Sequence, residues 1–315
     1  MDENILRTAG HRLYETSRLK EMKRYLVFRA RCRMHKDIIE DVLDFFAATE
    51  LRKRILEGTP SFIEQVTRAF FYKGSDYPDR AVLIKNHILF MEKHFSPEII
   101  SRLYADVDKT VNVGQRVTLW EDTFEEKPLR MELWFHGGQR KEGCLSLVLA
   151  WDQEDLYQVM FWFGPDMENS EDSIWIGAMQ GTPNGSDVIK RLTKAFFGYR
   201  PKNLIFYGIR NLARCLGLQK IYAVTNEGYY AMNHIRSDRK LKTDFAAFWQ
   251  ECEGTPSPTD PRFFSIPVEE YRKDMSELKP SKRAQHRRRF EKMDQINKAF
   301  DESSAKYLIK TTFEA

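Results

Sequence analysis

The densest group of residues with chemical potential lies between Ile174 and Asn226. There a short apolar run, Ile174-Trp175-Ile176-Gly177-Ala178-Met179, leads into the turn Gln180-Gly181-Thr182-Pro183-Asn184-Gly185-Ser186. Apolar residues then recur at helical spacing from Asp187 to Phe197, which places a helix N-terminus directly after the loop. The unpaired N–H groups of such a junction suit an anion the size of a phosphate. Gln180, Gly181, Asn184, Gly185 and Ser186 would form the cradle, with Lys190 or Arg191 adding positive charge. Two features oppose this reading: Pro183 removes a donor, and Asp187 puts an anion at the helix start. A capped turn, with Asn184, Ser186 and Asp187 closing the helix, is the alternative.

Other candidates are single residues. In Arg200-Pro201-Lys202, Pro at a helix start leaves backbone donors exposed between two cations, so Arg200 would hold a carboxylate or phosphate, or else pair with an acidic neighbour at a corner. His234, near Tyr229 and Tyr230 beyond the strand Ile221–Thr225, would accept a proton from an amine, or sit half-exposed on a helix. No His-x-x-x-His or Glu-x-x-His pattern occurs, so no metal site is expected. Cys32, Cys144, Cys215 and Cys252 form no CxxC pair and read as reduced thiols, with Cys144 and Cys215 as core filler.

The net charge of +4 is unevenly spread. Ser281–Lys292 holds six Lys or Arg (Lys282, Arg283, Arg287, Arg288, Arg289 and Lys292) against Glu291 alone, which leaves the rest of the chain at −1. The basicity is therefore read as belonging to one segment, which argues against a broad nucleic-acid-binding face. That segment reads as a helix with Phe290, Met293 and Ile296 on one side. It would lie on an anionic membrane leaflet or on RNA phosphate, or pack on the body with a solvated basic face.

The elements that must position these residues follow from periodicity. The chain has 315 residues, 42% hydrophobic and 13% aromatic, enough for a substantial core. Its apolar runs are far shorter than the roughly 18 residues of a membrane span. The start, Met1 to Arg7, lacks the apolar core of a signal peptide, so cytoplasmic residence is expected. From Ile5 to Leu103 the pattern is helical: Ile38, Val42, Phe45 and Phe46 share one face, as do Phe62, Val66, Ala69 and Phe70. Ser61 is the expected N-cap of the second helix, with Glu64 completing a capping box. From Val111 the period becomes two, with strands at Val117–Leu119, Leu129–Leu133, Leu145–Leu149 and Tyr157–Phe163 and a Gly-rich connection from His136 to Gly143. Strand, two helices and strand (Ile174–Met179 to Ile221–Thr225) follow, then a helix with Phe245, Phe248 and Trp249 as core and a last strand at Phe263–Pro267. Thr255–Thr259 reads as a short linker. The expected fold class is α+β: a helical region over 1–105, a mixed, largely antiparallel core domain over 106–275, and a basic helix and tail over 276–315.

The motifs Ile176-Gly177-Ala178-Met179-Gln180-Gly181, Thr193-Lys194, Gly198-Tyr199-Arg200-Pro201-Lys202-Asn203-Leu204, Leu216-Gly217 and Val224-Thr225-Asn226, with Phe248-Trp249, Phe264-Ser265-Ile266-Pro267 and Ser281 to Phe290, resemble the VirK/YbjX family of Gram-negative bacteria. The resemblance covers about Phe62 to Asp294. This chain has Thr243-Asp244 where members usually carry Tyr-Asp, and His286 where a Tyr is common. The resemblance implies a role in virulence, in expression or membrane placement of a surface protein, and in tolerance of cationic antimicrobial peptides. The order of elements also resembles the acyl-CoA-dependent N-acetyltransferase-like fold. That likeness implies an acyl-CoA- or acyl-carrier-dependent transferase with the donor at Gln180, Gly181 and Arg200. The competing expectation is a non-catalytic accessory protein, peripheral at the inner membrane, that binds a membrane-directed partner through the basic helix.

Overall fold

A computed structural model describes residues 3–108, 110, 112–182, 185–233 and 243–309. The N-terminal third is helical: α1 (Glu3–Leu13), α2 (Leu19–Met34), α3 (Lys36–Ala47), α4 (Glu50–Gly58), α5 (Ser61–Thr67), α6 (Tyr77–His94) and α7 (Pro97–Ile100), which runs into a π-helical turn, Ser101–Ala105. Eight strands then form one sheet, β1 (Val117–Phe124), β2 (Lys127–Trp134), β3 (Leu145–Trp151), β4 (Glu154–Pro165), β5 (Asp172–Gly181), β6 (Lys220–Val224), β7 (Thr255–Pro256) and β8 (Phe263–Pro267), in the order β1-β2-β3-β4-β5-β6-β8-β7. Helices α8 (Ser186–Ala195) and α9 (Pro201–Cys215) cross from β5 to β6, α10 (Phe245–Glu251) precedes β7, and α11 (Pro280–Tyr307) closes the described chain. The α+β expectation holds, with every predicted strand present.

Connection length decides strand direction. Glu125 and Glu126, both at positive φ (51° and 61°), make the two-residue turn that reverses β1 into β2. The two-helix crossover makes β5 and β6 the one parallel pair in the sheet. That pairing is short: Ile174 faces Ile221, Trp175 faces Tyr222 and Ile176 faces Ala223. Beyond it, β5 bulges at Gly177, since Phe161 pairs with Ile176 but Met160 with Ala178. The segment read as a linker contributes an edge strand instead, with Thr255 and Pro256 paired to Ser265 and Phe264.

The two faces of the central strands differ. Phe161, Phe163, Ile174, Ile176, Ile221 and Ala223 point one way and are fully buried. Trp162, Trp175 and Tyr222 point the other way. α9 presses close enough on the sheet that a Cβ at Gly208 would lie 2.6 Å from Met131 Sδ. The basic segment is helical, and Met293, Ile296 and Phe300 are its buried stripe, with Phe290 only partly buried. α6 meets the sheet end at Phe163, whose ring stacks 4.1 Å from Phe90 and 5.7 Å from His87.

The capping box expected at Ser61 and Glu64 is absent. Pro60 takes the N-cap position without a side-chain bond, and α5 stops at Thr67, short of Phe70. Glu64 is spent elsewhere. Fully buried, it accepts from Tyr14 Oη (2.7 Å), Arg68 Nη1 (3.2 Å) and Arg140 Nε (2.5 Å), tying α5 to the connection between β2 and β3. Burial disfavours its charge, but the Arg140 guanidinium, hydrogen bonds from Arg140 and Tyr14, and Arg68 outweigh it and hold the carboxyl below its usual range. A group depressed in this way stabilises the fold above its unfolded pKa, about 4.3, and that contribution fades as pH falls through the lower folded value. Arg140→Ala should therefore cost about 3 kcal/mol at pH 7 by urea denaturation, with a deficit that shrinks toward pH 3. An unchanged midpoint at pH 7, or a deficit independent of pH, would contradict this account.

Candidate functional site

The link between β2 and β3 is held from several directions, and its position fixes the site. Gln65 Nε2 donates to the Arg140 and Gly143 carbonyls (2.7 and 3.0 Å), and the Phe71 N–H donates to the Lys141 carbonyl (2.8 Å). A buried relay adds a further tie. The Phe163 N–H donates to His87 Nδ1 (3.2 Å), His87 Nε2 lies 2.8 Å from Tyr104 Oη, and Tyr104 Oη donates to the Cys144 carbonyl (3.1 Å). With Nδ1 accepting, the ring proton belongs on Nε2. Burial pushes the His87 imidazole down to about 3, so it stays neutral.

These ties lay Glu142 directly on bulged β5. A Cβ at Gly177 would fall inside the Glu142 carbonyl oxygen, and one at Gly143 would lie 2.5 Å from the Phe161 nitrogen, so both positions require glycine. The Glu142 carboxylate, 4% exposed, accepts from Gln180 Nε2 (3.0 and 2.9 Å) and from Tyr229 Oη (2.5 Å). Its direct partners are thus neutral. Burial raises its pKa against the opposing pull of the Tyr229 hydrogen bond, the Lys141 charge and Gln180. Burial and the facing carboxylate also push the Tyr229 phenol far up. A carboxylate with raised proton affinity, beside the carboxyl ends of two diverging parallel strands, is placed for general acid–base work.

A separate aromatic cleft of about 340 Å³ lies on the Trp162–Trp175 face of the sheet, without Glu142, Gln180 or Tyr229 in its lining. Tyr72, Trp162, Trp175 and Phe263 form its walls, and Val82 and Leu83 of α6 form its side. Trp162 is the lining residue that reaches toward Gly177: its ring would sit 3.0 Å from a Cβ there, and it stacks on Trp175 at 6.2 Å. Asp79 and Asp260 also line the cleft.

Of the residues expected from sequence, Gln180 joins this site directly. Gly181 lies against the Tyr157 ring, where a Cβ would be 2.7 Å from Cε1. Gly185 takes the N-cap position of α8 without a side-chain cap, and Ser186 opens the helix. Pro183, Asn184 and His234 lie outside the described residues. Lys190 is exposed and 3.8 Å from Asp187, while Arg191 pairs with Glu125 at 2.8 Å. Arg200, the N-cap of α9, pairs with Glu251 and donates to Asn203 (3.0 Å), which matches the corner reading. The basic segment splits: Arg283 and Arg289 donate to the Leu278 and Phe197 carbonyls, whereas Lys282, Arg287 and Arg288 are exposed. Trp249, Phe245 and Phe248 are core, and Trp249 Nε1 donates to the Val224 carbonyl at the end of β6 (2.9 Å). The four cysteines are free, with Cys215 half-buried. Among the described residues no group of His, Cys, Asp and Glu is arranged to hold a metal.

Sequence reasoning passed over Glu142 and gave Tyr229 no role. The one local signal was a charged run, Arg140-Lys141-Glu142, enclosed by Gly137, Gly138 and Gly143 shortly before a strand that is apolar except for Ser146.

Sheet order, bulge and buried carboxylate define a mixed α+β protein whose sheet opens at its one parallel pair. The chain belongs to the family described as "Protein of unknown function (DUF535)", which it matches over residues 17–302. It is 32% identical over 130 residues to the uncharacterized protein YbjX of Escherichia coli K12, covering 39% of this chain and 38% of that protein, which bears out the VirK/YbjX resemblance. An uncharacterized protein of Haemophilus influenzae is 22% identical over 227 residues, 68% of this chain and 73% of the other. The membrane protein LapB of Mannheimia haemolytica is 23% identical over 203 residues, 62% and 80% respectively. The chain thus spans about two fifths of the YbjX length and most of the other two. No solved structure matches. Among the described residues no helix is long and apolar enough to cross a membrane.

A raised folded pKa means that Glu142 stabilises the fold fully only below its unfolded value, about 4.3, and loses that contribution as pH rises. Glu142→Gln should therefore raise the melting temperature at pH 8, with the gain vanishing toward pH 4. A variant less stable than wild type at pH 8 would show that the carboxylate is structural.

Proposed function

We propose that the protein is an acyl-CoA- or acyl-carrier-dependent transferase of N-acetyltransferase-like architecture, with Glu142 as its base. The observation that carries the reading is the buried Glu142 carboxylate at the point where β5 and β6 part. Support comes from the strand order, with antiparallel β1 to β5, one parallel pair and a bulge in its first strand. β5 ends at Gly181 and α8 opens at Ser186, where Gly185 supplies no side-chain cap and the first-turn N–H groups suit a phosphate.

The residues fit an acyl carrier in part. Backbone donors at Gly181, Gly185 and Ser186 would hold its phosphates, while Lys190 and Arg200, already paired with Asp187 and Glu251, would lend only screened charge. When bound, the thioester supplies an activated acyl carbon. Glu142 would take a proton from the acceptor amine as the C–N bond forms and the C–S bond breaks, and the Tyr229 hydroxyl would give one to the departing sulfur. Their 2.5 Å hydrogen bond would carry the proton from Glu142 back to Tyr229 and restore both groups. An apolar portion of the acceptor long enough to pass Trp162 would reach the aromatic cleft. We read the activity as modifying an envelope component, in line with the phenotypes implied by the VirK/YbjX resemblance.

The accessory-protein reading keeps one supporting observation: Arg287 and Arg288 are exposed on α11 with no acidic partner among the described residues. Calorimetric titration with acetyl-CoA, a long-chain acyl-CoA and free CoA separates the two. The transferase reading expects saturable binding that Gly181→Asp loses by at least tenfold and Glu142→Gln retains, while Glu142→Gln abolishes amine-dependent CoA release. No binding of all three ligands would remove the CoA-dependent reading and favour the accessory one.

A further inference from the structure

α2 has two apolar faces. Phe28 and Cys32, one turn apart, point inward at 2% and 0% exposure. Directly opposite, Leu19, Lys23, Leu26, Ala30 and Met34 follow one another at helical spacing, all exposed, with Leu19 at 92%, Leu26 at 58% and Met34 at 70%. Val27 widens the stripe. One such side chain in water is ordinary, but an aligned row along four turns marks a contact surface.

The charge around this row is strongly positive. α2 carries Lys20, Lys23, Arg24, Arg29, Arg31 and Arg33 against Glu21 alone, +5 in sixteen residues, so the basicity is not confined to the C-terminal segment as the sequence reading held. Arg24 pairs with Glu21, and Arg29 and Arg33 reach Glu3. Lys20, Lys23 and Arg31 have no acidic partner among the described residues, and with Arg24 and Arg68 they line a groove of about 270 Å³ walled by Tyr14, Val27 and Phe28. No carboxylate lines that groove.

We propose that α2 docks the protein on an anionic phospholipid surface. The outward stripe enters the interface between headgroups and acyl chains, while Lys20, Lys23 and Arg31 bind lipid phosphates in and beside the groove. The combination selects this partner: an apolar stripe gains nothing from a free phosphate, and unpaired cations beside it gain nothing from a neutral apolar surface. α11 differs, because its apolar stripe of Met293, Ile296 and Phe300 is already buried against the body.

The test is co-sedimentation of the full chain with phosphatidylcholine vesicles and with vesicles containing 30% phosphatidylglycerol, at two salt concentrations. Expected is binding to the anionic vesicles alone, at least tenfold weaker at high salt. Leu26→Glu/Met34→Glu and Lys20→Glu/Lys23→Glu/Arg31→Glu should each lose at least tenfold while melting like wild type. Arg287→Glu/Arg288→Glu should bind normally. Equal binding to neutral vesicles, no binding to either, or loss only in the α11 variant would overturn the proposal. So would a dimer by light scattering that Leu26→Glu/Met34→Glu converts to monomer, because the stripe would then be an interface between copies.

Discussion

The contact of the Glu142 carbonyl with Gly177 is the constraint on which the rest of the structure depends. Only a residue without a side chain lets the β2–β3 connection lie directly on β5. That connection brings a carboxylate to the place where the sheet changes from antiparallel to parallel. The bulge at the same glycine turns the remaining residues of β5, so that Gln180 meets Glu142 on the same side. Alanine at position 177 would move the connection, and with it the carboxylate, by more than a hydrogen bond tolerates.

The two buried glutamates show how environment assigns role. Glu64 and Glu142 are each held by a tyrosine hydroxyl, at 2.7 and 2.5 Å. Glu64 also has two guanidiniums in direct contact, and attraction at that range in a low-dielectric setting exceeds the cost of burial, so it remains an anion. Glu142 has an amide instead, and Lys141 acts on it only through space, so desolvation prevails and its proton affinity rises. One carboxylate is a fixed strut between layers and the other is a group able to exchange protons. The difference lies in what faces them, since both are buried to a similar degree.

What could be read from sequence divides along the range of the forces involved. The strands were legible because Leu145 to Leu149 and Tyr157 to Phe163 carry their burial pattern locally, whereas Gln180 and Gly181, read as the start of a loop, extend β5 because they pair with Gln158 and Tyr157. The Ser61 capping signature misled because Glu64 found stronger partners, one of them at position 140, and tertiary pairing overrides a cap. Glu142 was illegible because its partners, Gln180 and Tyr229, stand 38 and 87 residues away. The outward stripe of α2 was hidden by its inner one: Leu19, Leu26 and Met34 alternate with Phe28 and Cys32, so the helix reads as evenly mixed until the core direction is known.

The Glu64–Arg140 tie also bears on how the chain acquires its shape. Its partners are separated by 76 residues, and the Gln65 bonds to the same connection span 75 and 78. During synthesis from the N-terminus, α5 therefore leaves the ribosome several seconds before Arg140, the most distant partner of its acidic side chain, exists, at roughly 5–20 residues per second. Until then Tyr14 and Arg68 are the partners within reach of the carboxylate, and α5, whose seven residues are all buried in the finished structure, has nothing to bury against on the side of the β2–β3 connection. The tie between α5 and the β2–β3 connection can form only after the first two strands have been made, and the Glu142–Tyr229 contact later still, because Tyr229 lies 87 residues beyond Glu142.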